Sequence, residues 1–197
     1  MMKKFLAAIV AVMLSAGTSF AGGDIAPVAQ VSPASDSSDF YLGLGAGTNW
    51  TYHKGDFDFS NTVVGESYVN PVIGLKGGYE FYKVGDFGFA VEGRVLSTIN
   101  ADYFDTSVYS LYIKPEYYIG DTGYGVYGLI GASHLRFNDG TGSENANSFS
   151  FGLGAEYQIT KRISVSADWT SNMWNKDSLG GKDINDDTVM VWVNFKF

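Results

Sequence analysis

The chain has no cysteine, which excludes disulfides, thiolate metal sites and cysteine nucleophiles. Basic residues are in deficit, 13 Lys and Arg against 21 Asp and Glu, so the formal net charge is -8 and nucleic acid is a poor partner. No run beyond residue 14 approaches the roughly 20 apolar residues of a transmembrane helix. Proline stops at four, whereas there are 25 Gly, 13 Tyr, 14 Phe and 4 Trp. Glycine with aromatics in short alternating runs reads as an all-β protein, since disordered chains are poor in aromatics.

The first residues read as an export signal. Lys3 and Lys4 precede an apolar stretch, Phe5 to Leu14, too short to span a bilayer, and Ser19-Phe20-Ala21 supplies a small-x-small cleavage site. Residues 1–21 are therefore expected to be a signal peptide. Residues 22–38, rich in Ser, Ala and Pro and without periodicity, are expected to form a flexible periplasmic lead-in. Residues 39–197 remain for one domain.

From Asp39 onward the hydrophobic period is 2, and it recurs in eight segments: about 39–50, 68–81, 87–97, 108–119, 124–137, 148–159, 162–172 and 189–197. Each is long enough to cross a bilayer as a tilted strand. The connections alternate between tight and long, as in an up-and-down barrel with short periplasmic turns and long outer loops. The fold expected is an eight-stranded antiparallel up-and-down transmembrane β-barrel.

Charge placement separates this barrel from a soluble sandwich. One parity holds Gly, Ser and opposed ions, Lys76, Arg94, Lys114, Arg136 and Lys196 against Glu80, Glu92, Glu116, Glu156 and Asp168, while the other is almost free of charge. Inside a narrow barrel small residues make room while opposite charges pair. These ten residues are the expected lumen network, with His134 placed beside them. On the fifth segment Tyr127, Leu129, Leu135 and Phe137 are assigned to the lipid face. Trp192 falls on the inward parity, as a lumen filler or the sign of a bulge.

The chain ends VMVWVNFKF, with Val189, Val191, Val193, Phe195 and Phe197 on one parity. An open sheet edge in hydrocarbon leaves unpaired backbone groups, each costing several kcal/mol, so the last strand must close on the first. Phe195 and Phe197 would join Phe81, Phe87, Tyr117 and Tyr124 in an aromatic girdle.

YGVYGLIGASHLRF (124–137), SFSFGLGAEYQITKRISVSADWT (148–170) and the terminal VWVNFKF resemble the small eight-stranded outer-membrane barrels of the OmpX, Ail and opacity-protein group, related to the OmpA transmembrane domain. The resemblance spans about 39–197 and includes an inward acid on strand seven, Asp168. Asn194 and Val193 stand where such closing strands often carry Gly. The resemblance implies a Gram-negative outer-membrane location and contact with lipopolysaccharide. It also implies assembly by the barrel-assembly machinery, with Phe195 and Phe197 as the signal, and non-enzymatic roles in adhesion or envelope integrity.

Catalytic and cofactor patterns are weak. Ser133 and His134 are adjacent and point to opposite faces of a strand, so they cannot form a nucleophile and base pair, and the His-x-Ser spacing of lipid A deacylases is absent. Gly43, Gly45 and Gly47 precede no helix and so make no phosphate cradle. Asp183, Asn185 and Asp187 mimic a calcium loop, yet Thr188 stands where its Gly belongs. No catalytic, cofactor or metal residue is assigned.

The outer connections hold eleven acids and three lysines, a balance that disfavours a heparin-type ligand. They also hold aromatics suited to protein contact: Tyr52, Phe57, Phe59, Tyr103, Phe104, Met173 and Trp174. The leading function is thus a filled barrel acting in envelope integrity or at the surface, with a host or cell-surface protein as partner. The alternative is a small-solute or ion channel, and a third is a lipid A-modifying enzyme.

Overall fold

The computed structural model describes residues 40–53, 67–99, 105–138, 143–174 and 184–197. The expected signal and lead-in lie outside them. Eight strands follow in order: β1 (Phe40–His53), β2 (Ser67–Val84), β3 (Phe87–Thr98), β4 (Asp105–Tyr118), β5 (Tyr124–Asn138), β6 (Ser143–Gln158), β7 (Ile163–Trp174) and β8 (Ile184–Lys196). Each pairs antiparallel with its sequence neighbours, and β8 pairs with β1, closing the barrel. β6 and β8 begin five residues earlier than their sequence segments, so the sheet extends further toward the long connections.

Closure runs to the last residue. Leu42 pairs with Phe195, and the Phe197 amide donates to the Phe40 carbonyl at 3.1 Å. No edge is left for hydrocarbon to strip of water. Tight connections at one end, here the turn end, use glycines at positive φ, Gly85 at 57° and Gly123 at 78°, where a side chain would strain the backbone. The opposite, loop end carries the long connections.

The outward face of the barrel is apolar. Leu42, Leu44, Leu75, Leu111, Ile130 and Leu153 are all more than half exposed. At the turn end the outward aromatics pair across strands, Phe40 with Tyr79 at 4.5 Å, Phe87 with Tyr117 at 4.9 Å and Tyr124 with Tyr157 at 4.5 Å between ring centroids. Amphipathic rings at the boundary of an apolar belt match a membrane interface.

Two features correct the sequence reading. Strand β5 has the opposite parity: Tyr127, Leu129, Ser133 and Leu135 are buried in the lumen, and Val126, Ile130, His134 and Arg136 face outward. The β4 register, with Glu116 opposite Tyr127 and Ser110 opposite Ser133, forces this choice. Both faces of β5 are apolar enough that alternation alone does not decide it. The second feature is a bulge in β2 between Glu80 and Tyr82. Phe81 and Tyr82 are both exposed, and Lys83 is brought opposite inward Gly88.

Candidate functional site

The inward face fills the barrel in three layers. The middle layer is ionic and centres on Glu92, which is fully buried. One carboxylate oxygen accepts from Arg94 Nε at 2.6 Å, and the other accepts from Tyr41 Oη at 2.6 Å. Lys76 and Lys114 approach that second oxygen at 3.7 and 3.8 Å. Arg94 then reaches across to Asp168, which also accepts from Tyr127 Oη at 2.9 Å. Every ion here is both paired and hydrogen-bonded, the condition under which buried charge is tolerated.

Aromatic rings hold these cations from the sides. Trp192 is completely buried, with Lys76 Nζ 4.9 Å and the Arg94 guanidinium carbon 5.1 Å from its ring. Lys114 Nζ lies 4.2 Å from the Tyr127 ring centroid, and Arg94 5.3 Å from that of Tyr112. Glycines provide the room. A Cβ on Gly45 would run into the Trp192 ring, one on Gly78 into Tyr41, and one on Gly154 into Tyr127. The glycine alternation visible in the sequence is therefore the imprint of large rings on facing strands.

Toward the turn end Lys114 contacts Glu116, and Glu156 sits between Lys114 at 3.6 Å and Lys196 at 3.5 Å. Tyr118 Oη lies 2.8 Å from Glu80 and 2.5 Å from Glu116, so its one hydrogen serves either carboxylate. Lys83, delivered inward by the bulge, covers the Tyr118 ring at 4.2 Å. These groups line a vestibule of about 850 Å³ whose floor is Tyr41, Lys114 and Tyr127.

Toward the loop end the lumen turns apolar, with Val72, Leu96, Val108, Leu135, Ala146, Trp174, Met190 and Trp192 in one buried cluster. Beside it runs a neutral polar chain, Ser110 to Ser133 at 2.6 Å, Ser133 to Ser150 at 2.7 Å and Ser150 to Asn172. Asp186 closes the layer, accepting from Asn49 Nδ2 at 3.0 Å and Asn172 Nδ2 at 2.6 Å.

The structure brings together Lys76, Glu92, Arg94, Lys114, Glu116, Glu156, Asp168 and Lys196, with Glu80 joined through Tyr118. Arg136 is corrected: it is exposed on the outward face of β5 and takes no part in the lumen, and His134 goes with it. Trp174 is also corrected. It ends β7 on the inward parity and is buried, 4% exposed, so it is no surface contact. Met173 beside it is half exposed on the outward face. Tyr52 belongs to β1, while Phe57, Phe59, Tyr103 and Phe104 lie outside the described residues. Sequence reasoning missed Lys83, Asp186 and the apolar cluster. Val72, Leu96 and Val108 each sit on the polar parity of their strand, which was the available signal.

Among the described residues no group of His, Asp and Glu could hold a metal ion. Ser133 is buried and His134 exposed, on opposite faces.

The outer membrane protein beta-barrel domain family matches residues 7–197. Neisserial surface protein A has a similar solved structure, with TM-score 0.57 and 18% identity over 82% of this chain and 99% of that one. Ail, the attachment invasion locus protein of Yersinia pestis, gives 0.53 and 20% over 81% and 99%. The N-terminal β-barrel domain of Pseudomonas aeruginosa OprF gives 0.53 and 15% over 82% and 99%. At these identities the likeness is one of fold. No curated protein matches the chain.

Proposed function

Because this chain belongs to the outer membrane protein beta-barrel domain family, we propose that it is a non-enzymatic, non-conducting barrel that acts at the surface of a Gram-negative outer membrane. The observation that carries the reading is the lumen. From the floor of the vestibule to Asp186 the described side chains fill it with paired ions, stacked rings and an apolar cluster, which supports a barrel closed to solute passage. The activity then falls to the connections at the loop end, which face outward in this reading.

Residues 1–21 serve as the export signal, and the closing strand with Phe195 and Phe197 as the assembly signal read by the barrel-assembly machinery. The connections are acidic and carry Phe57, Phe59, Tyr103 and Phe104. That combination suits a protein partner through buried aromatic anchors. One solved Ail structure is in complex with the heparin analogue sucrose octasulfate. The charge balance of these connections is the reverse of what such a polyanion needs, so it is not the partner class proposed here.

Cells displaying the wild-type chain are compared with cells displaying Phe57→Ser/Phe59→Ser and Tyr103→Ser/Phe104→Ser variants, in attachment to protein-coated surfaces and to other cells. Loss of attachment at equal surface display is expected for at least one pair. Equal attachment by all, including cells lacking the protein, removes the surface-contact reading.

A further inference from the structure

The vestibule at the turn end is a pocket of about 850 Å³, in the size range of small-molecule sites. Tyr41, Lys114 and Tyr127 make its floor, and there Tyr41 donates to Glu92 while Lys114 contacts Glu116. Its charges are sorted by wall. From β2 to the connection after β4 the lining carries Glu80, Asp86, Glu116 and Asp121 against Lys83, whereas from β6 to β8 it carries Lys161, Arg162 and Lys196 against Glu156. These walls face each other across a ring of eight strands, so the pocket is dipolar.

The acidic wall is short of hydrogens. Tyr118 Oη lies 2.8 Å from Glu80 and 2.5 Å from Glu116, and a phenol has one hydrogen to give. Whichever carboxylate receives it, the other meets the phenol through lone pairs alone. Among the described residues no cation is paired with Glu80, and Lys83 stands over the Tyr118 ring, 4.2 Å from its centroid, instead of on a carboxylate. An ammonium brings three hydrogens, enough for both acids, and the ring face already takes a cation. A second group is also incomplete. Asn194 lines the vestibule and is 1% exposed; its Nδ2 donates to Ser164 and Ser166, but its Oδ1 has no donor among the described residues. A buried acceptor left unpaired is costly, and a backbone N–H would complete it.

We infer that the vestibule is a binding site for a short peptide held by its two free termini. The N-terminal ammonium lies among Glu80, Glu116 and Tyr118, the carboxylate lies against Lys196 on the other wall, and the rings of Tyr41, Tyr118 and Tyr127 receive the body between them. A plain cation would leave the basic wall unmet, and a plain anion the acidic one. Peptide N–H groups also answer the Asn194 oxygen, which a single amino acid held by its ammonium and carboxylate does not. The site is independent of the surface contacts proposed above, because it lies at the opposite end of the barrel.

The test titrates the full barrel in neutral detergent with trialanine, N-acetyl-trialanine, trialanine amide and alanine, and reads dissociation constants by ligand-observed NMR. Folding of each variant is checked by the mobility difference between heated and unheated samples. Wild type should bind trialanine about tenfold more tightly than either blocked form, the loss of one charge-assisted contact at the blocked end. Glu80→Gln should remove the preference for the free ammonium and keep that for the free carboxylate, and Lys196→Gln should do the reverse. Glu80→Asp should retain part of the first preference. Asp187→Asn, on the outward parity of β8 at the loop end, should change neither. Equal binding of trialanine and both blocked forms by wild type overturns the site, a comparison that needs no variant to fold. Preferences unchanged in Glu80→Gln and Lys196→Gln overturn it as well. Alanine bound as tightly as trialanine overturns the peptide assignment.

Discussion

Arg94 on β3 holds Asp168 on β7 through two parallel hydrogen bonds, Nη1 to Oδ1 at 2.9 Å and Nη2 to Oδ2 at 2.8 Å. These strands are four apart in a ring of eight, so the pair is a strut across the lumen. Removing one partner of a buried pair leaves the other charge uncompensated. Arg94→Ala is expected to cost about 3 to 5 kcal/mol, whereas replacing both with apolar residues of similar volume should cost much less. Urea unfolding in lipid vesicles measures both. Equal losses for Arg94→Ala and for Arg94→Met/Asp168→Leu would show that the strut does not work this way.

Gly45 and Trp192 face each other across the β1 and β8 seam. Gly45→Val pushes a side chain into the indole and should destabilise by about 1 to 3 kcal/mol, with partial rescue in a Trp192→Leu background. Trp192→Phe keeps a ring beside Lys76 and Arg94 and removes an indole N–H that has no acceptor among the described residues. It should be tolerated far better than Trp192→Ala. Unfolding midpoints of the four variants check both expectations.

The parity of β5 is testable by one substitution. Ile130 faces hydrocarbon, so Ile130→Arg should cost about 2 to 4 kcal/mol near mid-membrane. If Leu129 were the outward residue, as the sequence alternation suggests, the arginine would enter the lumen among carboxylates and the cost would be smaller. Parallel measurement of Leu153→Arg on β6, which is outward by both readings, calibrates the scale.

Phe197 caps the outward parity of β8, and its amide completes the seam with Phe40. Changing it to Asp should lower the fraction of chains inserted in the outer membrane, read by fractionation and by heat-dependent mobility. The backbone bond survives the substitution, so an unchanged yield would place the assembly signal elsewhere.

Much of this architecture was legible because a barrel forces period 2 on every strand, and tight and long connections alternate. The ionic middle layer was legible for the same reason: Glu92, Arg94, Lys114 and Asp168 lie on the parity that also carries much of the Gly and Ser of the strands. Three things were not. In YGVYGLIGASHLRF both faces are apolar, so the parity of β5 depends on its pairing with β4, and alternation alone points Arg136 and His134 inward. A bulge adds one residue without any compositional mark, which hid the inward turn of Lys83. Trp174 reads as the start of a loop because its burial comes from Val72, Leu96 and Val108, far away in sequence.

Ion conductance of the purified wild-type barrel in a planar bilayer tests the central claim most directly. The vestibule ends on Tyr41, Lys114 and Tyr127, and among the described residues paired ions and the apolar cluster occupy the lumen beyond them, which in the proposed reading closes it to ions. The account predicts no steady single-channel current above the bilayer leak. Stable, ion-selective steps from the wild-type protein would contradict it, and would make the same ionic residues the lining of a pore.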